Sequence, residues 1–482
     1  MRLINSSDKK KSLIELYNQN AKTRQYWLNK NRYYYRELER FYKFNIAEGS
    51  SVLEIGCGQG QLLNSVKPSY GVGIDISPAM IEIAKKQFPH LRFEVMDAES
   101  LAISEKFDFV ILSDTAGNLS DIQHAFSMLH NVCRPDTRIL INYYNFLWEP
   151  LLKLGEKLKL KMPEGYQNWL PLDDLRNFLY LSDFEVIKSG YRLLMPVYIP
   201  LISALLNRFI AKLPLIKKLC LVQTIIARPA GYPAYPPSDA RGYSCSVIIP
   251  CRNEKGNIEG AVTRTPQLGL FTELIFVDGN STDGTPDEIL RVMKKYPDKR
   301  ISLIHQGTGI GKGDAVRKGF SAARGDVLMI LDADLTVPPE DLAKFMGAIT
   351  SGKGEFINGT RLVYPMEKGA MRVLNLIANK LFSLGFTWLL EQRFRDTLCG
   401  TKALFKKDYD KIVAGRPFFG DFDPFGDFDL IFGASKLNLK IVEIPISYKE
   451  RTYGTTNISR FRHGWLLLKM WVVAFLKLKL KN

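Results

Sequence analysis

Strand-like apolar runs alternate with helical stretches on both sides of one proline-rich breaker, and no other feature limits the fold of this chain so tightly. Before the breaker stand SVLEIG (51–56), YGVGID (70–75), LRFEVM (91–96), FDFVILS (107–113) and RILINYY (138–144). After it stand CSVIIP (245–250), ELIFVD (273–278), ISLIHQ (301–306) and VLMILD (327–332). Such alternation predicts a parallel sheet with helices on both faces, once in each half. The breaker, RPAGYPAYPPSDARGYS from Arg228 to Ser244, carries four prolines and two glycines without an apolar period, and reads as a linker. At 482 residues the chain exceeds one ordinary core of about 150 residues, so two domains fit its length. No internal repeat relates the halves.

In the first half, EIGCGQG (Glu54 to Gly60) runs a strand with an acidic end into a glycine-rich turn. Gly56, Gly58 and Gly60 let backbone approach a ligand where a Cβ would collide, and the helix that follows offers free N–H groups. Asp75 ends the next strand, placed for two ribose hydroxyls, and Asp97 in VMDAES ends the third, placed for an adenine amino group. Asp114, Tyr143, Tyr144 and Asn145 fall near the fourth and fifth strand ends, where a transferred group would lie, and each is equally open to a structural role. An NAD-binding turn is the rival reading, but GCGQG lacks the third glycine of GxGxxG. Residues 1–44 read as a helical extension with a run of aromatics, either a lid or ordinary packing.

These strings resemble the class I S-adenosylmethionine-dependent methyltransferases. The resemblance covers residues 45–229, including SDFEVIKSGYRLL and CLVQTIIARP, which look like the antiparallel pair that closes such sheets. It implies S-adenosylmethionine as cofactor, held by Glu54, Gly56, Gly58, Gly60, Asp75 and Asp97. Methyl transfer at a sulfonium depends on positioning and exclusion of water more than on one catalytic group.

In the second half, VIIPCRNE runs a strand into a loop in which Pro250, Asn253 and Glu254 are candidates for nucleotide contact, and Asp278 ends the next strand. Lys312 sits in a glycine-rich loop, where GKGD lacks the GK[ST] order of an NTPase loop. Asp332 and Asp334, spaced by one residue in DADL, can share a hard divalent cation that neutralises a leaving diphosphate. The segment from Tyr243 to about Ser459 resembles family 2 glycosyltransferases of GT-A fold, in particular the dolichol-phosphate mannosyltransferase and polyprenyl-phosphate glucosyltransferase branch. That resemblance implies Asp332 and Asp334 as Mg2+ or Mn2+ ligands and Asp278 on the nucleotide. It counts Arg361 of NGTR, in the next loop, among the substrate-binding residues with Lys312, and makes Arg451 of SYKERTYG the candidate phosphate-binding arginine. Gly279 stands where many relatives carry a second Asp, and Thr336 where Gln is common after DADL.

Acceptor chemistry divides two readings. A sugar hydroxyl loses a proton as it attacks and calls for a base, for which Asp427 or Asp429 of FGDFDL is the candidate. A polyprenyl phosphate is already anionic and needs only cations such as Arg451 or Lys402.

The formal charge of +16 is unevenly spread. No Asp or Glu occurs from Val186 to Ser238, where basic residues mix with Leu, Ile, Pro and Tyr, and the same mixture returns around WLLLKMWVVAFL near the C-terminus. This fits an anionic membrane surface better than nucleic acid. A base-methylating NPPY or DPPY motif is also missing after the fourth strand, where LSDTAG stands.

Six cysteines without a CxxC pair, and no secretory signal or spanning segment, predict a cytoplasmic protein bound peripherally to the inner face of the membrane. The expected fold class is α/β, with two doubly wound domains followed by an amphipathic helix. The expected boundaries are 1–44 extension, 45–229 methyltransferase, 230–242 linker, 243–459 glycosyltransferase and 460–482 basic interface helix.

The leading expectation is a bifunctional enzyme. It would transfer methyl from S-adenosylmethionine and, with metal and inversion, move a hexose from a GDP-mannose or UDP-glucose type donor to a polyprenyl phosphate. The alternatives are a polysaccharide hydroxyl as acceptor, with methylation as decoration, and a methyltransferase-like domain that only docks.

Overall fold

The computed structural model describes residues 6–309, 311–361, 363, 373–419, 426–451, 453 and 460–480. They form two compact units that meet in sequence at Ala230 and Gly231.

The first unit opens with helices Ser6–Ala21, Arg24–Lys30 and Arg32–Asn45. Its sheet comprises β1 (Ser51–Ile55), β2 (Tyr70–Asp75), β3 (Arg92–Val95), β4 (Phe107–Ser113), β5 (Cys133–Tyr144), β6 (Phe184–Arg192) and β7 (Val222–Pro229). The order is β3-β2-β1-β4-β5-β7-β6, parallel except for β7, which runs against both neighbours. Strands β1 and β4 are apolar on successive residues because helices cover both faces, and Val52, Leu53, Val110 and Ile111 are fully buried. Each such side chain contributes about 1.5–3 kcal/mol. The strand order reverses between β1 and β4, so a crevice opens at their carboxyl ends. The glycine turn, Asp75, Asp97 and Asp114 all follow strands at that edge.

The second unit comprises β8 (Cys245–Cys251), β9 (Thr272–Asp278), β10 (Arg300–His305), β11 (Val327–Ile330), β12 (Phe356–Thr360), β13 (Lys402–Phe405) and β14 (Ile441–Pro445). Its order, β10-β9-β8-β11-β13-β12-β14, reverses between β8 and β11, which opens the same kind of crevice. The expectation of a parallel sheet holds for β8 to β11, whereas β13 is antiparallel to both β11 and β12. KALF is too short to announce that strand by periodicity.

The segment expected as a linker is ordered along the second unit. Tyr235 Oη donates to Asp408 Oδ1 at 2.6 Å, Ser244 N–H donates to Asp326 Oδ2 at 2.9 Å, and Ala234 is buried. Aromatic packing and carboxylate caps override the mobility that its prolines and glycines suggest.

Near the C-terminus, helix Arg460–Ala474 packs on helix Val373–Leu390. The ring centroids of Trp388 and Trp471 lie 5.9 Å apart, those of Trp388 and Phe475 5.6 Å, and Met470 and Ala474 are fully buried. Trp471 therefore serves packing, while Trp465 stays exposed. Residues 481–482 of the expected interface helix lie outside the described residues. Among those described, no helix is long and apolar enough to cross a membrane.

Candidate functional site

In the first unit the glycine turn is held open by conformation. Gly56, Gly58 and Gly60 have φ of +74°, +54° and +81°, and a Cβ on Gly56 would strike Thr115. Asp75 braces the turn: its carboxylate accepts Gly58 N–H at 2.8 Å and Ser77 N–H at 2.9 Å. Glu54, Gly56, Gly58, Asp75, Asp97 and Asp114 line one cavity.

Glu54 is buried and its Oε2 accepts Leu63 N–H at 2.9 Å. Burial pushes its carboxyl up to about 8, from an ordinary value of about 4.3. A carboxyl raised on folding contributes most stability below its unfolded value and loses that contribution as pH climbs through the folded value. The stability of this unit is therefore expected to fall by about 2–4 kcal/mol between about pH 5 and 8, lowering its melting temperature, with Glu54→Gln flattening the profile in scanning calorimetry.

The N-terminal helices cover the cavity, which the sequence reading had left open between a lid and ordinary packing. Lys10, Leu13, Tyr17, Arg24 and Leu28 line it, and a Cβ on Gly58 would sit 3.0 Å from Arg24 Nε. That Nε is buried without a hydrogen-bond partner among the described residues. Lys10 Nζ lies 2.6 Å from Asp97 Oδ2 and 2.7 Å from Glu99 Oε2, so an adenine amino group would have to share Asp97 with a cation. Sequence reasoning missed Lys10, Tyr17 and Arg24. Lys10 and Tyr17, seven residues apart on one face of the first helix, offered a signal, whereas Arg24 begins the next helix and offered none.

Asp114 accepts Tyr34 Oη–H at 2.8 and 2.9 Å and Asn142 Nδ2–H at 2.6 Å. Burial, then the neighbouring Glu164, pushes it up to about 7. Tyr143 Oη donates to Asn168 O at 2.7 Å, and Asn145 Nδ2 donates to Lys218 O and Cys220 O at 2.8 and 2.9 Å. Of the four residues near those strand ends, Asp114 lines the cavity, whereas Tyr143 and Asn145 are engaged with backbone.

In the second unit, Asp332 and Asp334 follow β11 and are each met by a cation. Lys312 Nζ lies 2.5 Å from Asp332 Oδ1, and Arg451 Nη2 lies 2.6 Å from Asp334 Oδ2 and its Nη1 3.5 Å from Glu254 Oε1. Burial alone would raise the Asp332 carboxyl, but Lys312, aided by Lys402 and Arg361, takes it below its ordinary value. Gly400 of the CGT stretch abuts this pair, and a Cβ there would overlap both Asp332 and Lys312. Thr336, the departure after DADL, donates its hydroxyl to Asp334 Oδ1 at 2.9 Å.

Asp278 is buried at the end of β9 and accepts Ser281 N–H at 3.3 Å, while Asn253 Oδ1 accepts Thr282 N–H at 2.8 Å, joining the two loops. Pro250 lies within β8.

Three expected contacts turn inward. Lys402 is fully buried and bonded to Asp427 Oδ1 at 2.8 Å and to Cys399 O at 2.5 Å, so it supports the site from beneath instead of facing a phosphate. Arg361 pairs with Asp396 through Nε and Nη2 at 2.7 and 2.8 Å. Asp429 pairs with Arg416 at 2.8 Å. In each case a buried charge takes the nearest partner, because leaving it unpaired costs several kcal/mol (about 3–5).

Two hard carboxylates suit Mg2+ or Mn2+, which commonly takes one or two protein acids and completes its shell with substrate phosphates and water. Among the described residues no group of three His, Cys, Asp or Glu is placed to hold a metal. A cation on Asp332 and Asp334 would accordingly draw its remaining ligands from a bound diphosphate. The cavity of the first unit fits S-adenosylmethionine in the same sense: Glu54, Asp75 and Asp97 line it, and the buried Arg24 Nε lacks a partner among the described residues.

The family model described as "Methyltransferase domain" matches residues 26–189, and that described as "Glycosyl transferase family 2" matches residues 246–413. The chain joins a methyltransferase domain to a family 2 glycosyltransferase domain. Both are families of transferases. The chain is 29% identical over 245 residues to dolichol-phosphate mannosyltransferase of Pyrococcus furiosus, covering 46% of this chain and 63% of that protein. It is 27% identical over 248 residues to glycosyltransferase AglD of Haloferax volcanii, covering 48% of this chain and 38% of AglD. It thus spans less than two thirds of the length of either relative. Among solved structures, a SAM-dependent methyltransferase from Thermotoga maritima matches at 16% identity and a TM-score of 0.35, covering 45% of this chain and 99% of its own.

Proposed function

We infer that the chain is a bifunctional enzyme of the cytoplasmic membrane face. Its methyltransferase domain uses S-adenosylmethionine, and its glycosyltransferase domain moves a hexose from a nucleotide-sugar of GDP-mannose or UDP-glucose type to a polyprenyl phosphate, with inversion and Mg2+ or Mn2+. The observation that carries the reading is the cluster of Asp332, Asp334, Lys312 and Arg451: two acids for one cation and two cations for a diphosphate or an acceptor phosphate. Asp332 and Asp334 would hold the cation, which would neutralise charge on the diphosphate, and Lys312 and Arg451, which meet those acids here, would then be available to phosphate oxygens. The dolichol-phosphate mannosyltransferase relative supports a lipid phosphate as acceptor. A hydroxyl acceptor is the second reading, and it is disfavoured because both candidate bases, Asp427 and Asp429, are neutralised by Lys402 and Arg416.

The deciding experiment is transfer of label from a panel of radiolabelled nucleotide-sugars into butanol-extractable lipid, with polyprenyl phosphate and Mg2+ or Mn2+. Label in lipid that chelation abolishes supports the lipid-carrier reading. Label confined to water-soluble glycan would establish the hydroxyl reading and make Asp427 the base to test.

In the methyltransferase domain, S-adenosylmethionine supplies an electrophilic methyl group. The chain's own part is to hold the nucleoside over the glycine turn, meet the ribose with Asp75 and place Arg24 on the amino-acid carboxylate. Arg24→Met is expected to weaken S-adenosylhomocysteine binding by about 30–100-fold, the worth of a charge-assisted pair in a partly desolvated site. Binding of 5′-methylthioadenosine, which lacks that carboxylate, should be unchanged in calorimetry. Equal losses for both ligands would remove Arg24 from this role.

A further inference from the structure

The helix Glu149–Lys157 of the methyltransferase domain buries none of its residues, although Leu151, Leu154 and Leu158 fall along one side of it. All three are exposed. A second apolar surface comes from the segment between β6 and β7, where Leu201 and Leu215 are 87% and 86% exposed and Leu205 is also exposed. The two are stitched together: Trp148 Nε1 donates to Leu219 O at 2.9 Å and Asn145 Nδ2 to Lys218 O at 2.8 Å. An apolar surface of this extent seldom faces water on a soluble monomer.

Charge is one-sided on the β6–β7 segment, while the acids of the helix, Glu149 and Glu156, are paired with Lys153 and Lys161. From Val186 to Ser238 there is no acidic residue, and Arg208 and Lys218 are exposed among the leucines. Leucines that enter a headgroup layer beside cations that meet anionic lipid are the pattern of an interfacial anchor. Beyond Lys157 the chain soon returns to the cavity at Met162 and Glu164, so this surface adjoins a wall of the methyl-donor site.

We propose that the methyltransferase domain docks on anionic membrane through helix Glu149–Lys157 and the β6–β7 segment, independently of the C-terminal helix pair, and takes its methyl acceptor from that surface. This deepens the membrane reading above, and its test does not pass through sugar transfer.

All six cysteines are buried, so an introduced surface cysteine can be labelled selectively in the full chain. An environment-sensitive fluorophore on Leu215→Cys or Leu154→Cys is expected to shift to the blue and to be quenched by brominated lipid on vesicles containing phosphatidylglycerol. On phosphatidylcholine alone, or on Lys86→Cys at another exposed helix, it should not. The variant carrying Leu151→Glu, Leu154→Glu, Leu201→Glu and Leu215→Glu should lose about ten-fold or more in vesicle affinity while binding S-adenosylhomocysteine normally.

Three results would overturn the proposal. One is silent probes on vesicles that bind the protein, a second is unchanged affinity of the four-glutamate variant, and the third is a blue shift that tracks protein concentration without lipid, which would assign the surface to a second copy of the chain.

Discussion

Asp334→Ala is expected to lower sugar transfer by about 10³-fold, corresponding to about 4 kcal/mol of transition-state stabilisation, because it removes one of the two acids proposed to hold a cation that would neutralise the leaving diphosphate. The fold should tolerate the change. The Arg451–Asp334 pair is part-exposed, with side chains 27% and 16% accessible, and Arg451 keeps Glu254 within reach at 3.5 Å. A pair of this kind contributes about 1 kcal/mol or less to stability.

Removal of the divalent cation by chelation should reproduce the defect in the unaltered chain. Binding of S-adenosylhomocysteine should not change, because Asp334 follows a strand of a different sheet from the one that carries the glycine turn. If Asp334→Ala abolished both, two independent sites would be untenable.

Asp75→Ala is the converse variant, expected to weaken S-adenosylhomocysteine by about 10²–10³-fold with sugar transfer intact. Its carboxylate has two tasks. It holds the turn through Gly58 and Ser77 N–H groups, and by the proposal above its remaining lone pairs would take ribose hydroxyls, each charge-assisted bond being worth about 1.5–3 kcal/mol. Asp75→Asn keeps the shape but turns a donor toward groups that also donate, so an intermediate loss is expected. Calorimetric titration of both variants separates the tasks. If Asn matched Ala, the negative charge would be what matters; if Asn matched the unaltered chain, bracing of the turn would be only a matter of shape.

Several elements were legible at the level of residues. The runs at 51–56, 70–75, 107–113 and 245–250 became β1, β2, β4 and β8 within a residue, since a strand buried on both faces must be apolar at successive positions. The acids at the strand ends were equally visible, because a carboxylate after an apolar run has few structural uses. Short β13 and the ordered course of residues 231–244 were not visible. Nor was the placement of Arg24, whose sequence neighbours say nothing of Gly58, 34 positions away.

What the sequence by itself determined is the pair of α/β halves and the two crevices with glycines and acids at their edges, all of which follow from local rules of backbone conformation and side-chain period. Only the tertiary structure decided which cation each acid meets: Lys312 with Asp332, Arg451 with Asp334, Lys402 with Asp427, Arg416 with Asp429, and Lys10 with Asp97. It likewise turned Trp471 inward and left Leu201 and Leu215 facing out. The physical reason is competition. A buried charge or an exposed leucine takes whichever partner the packing of distant segments brings nearest, and no spacing along the chain records that distance.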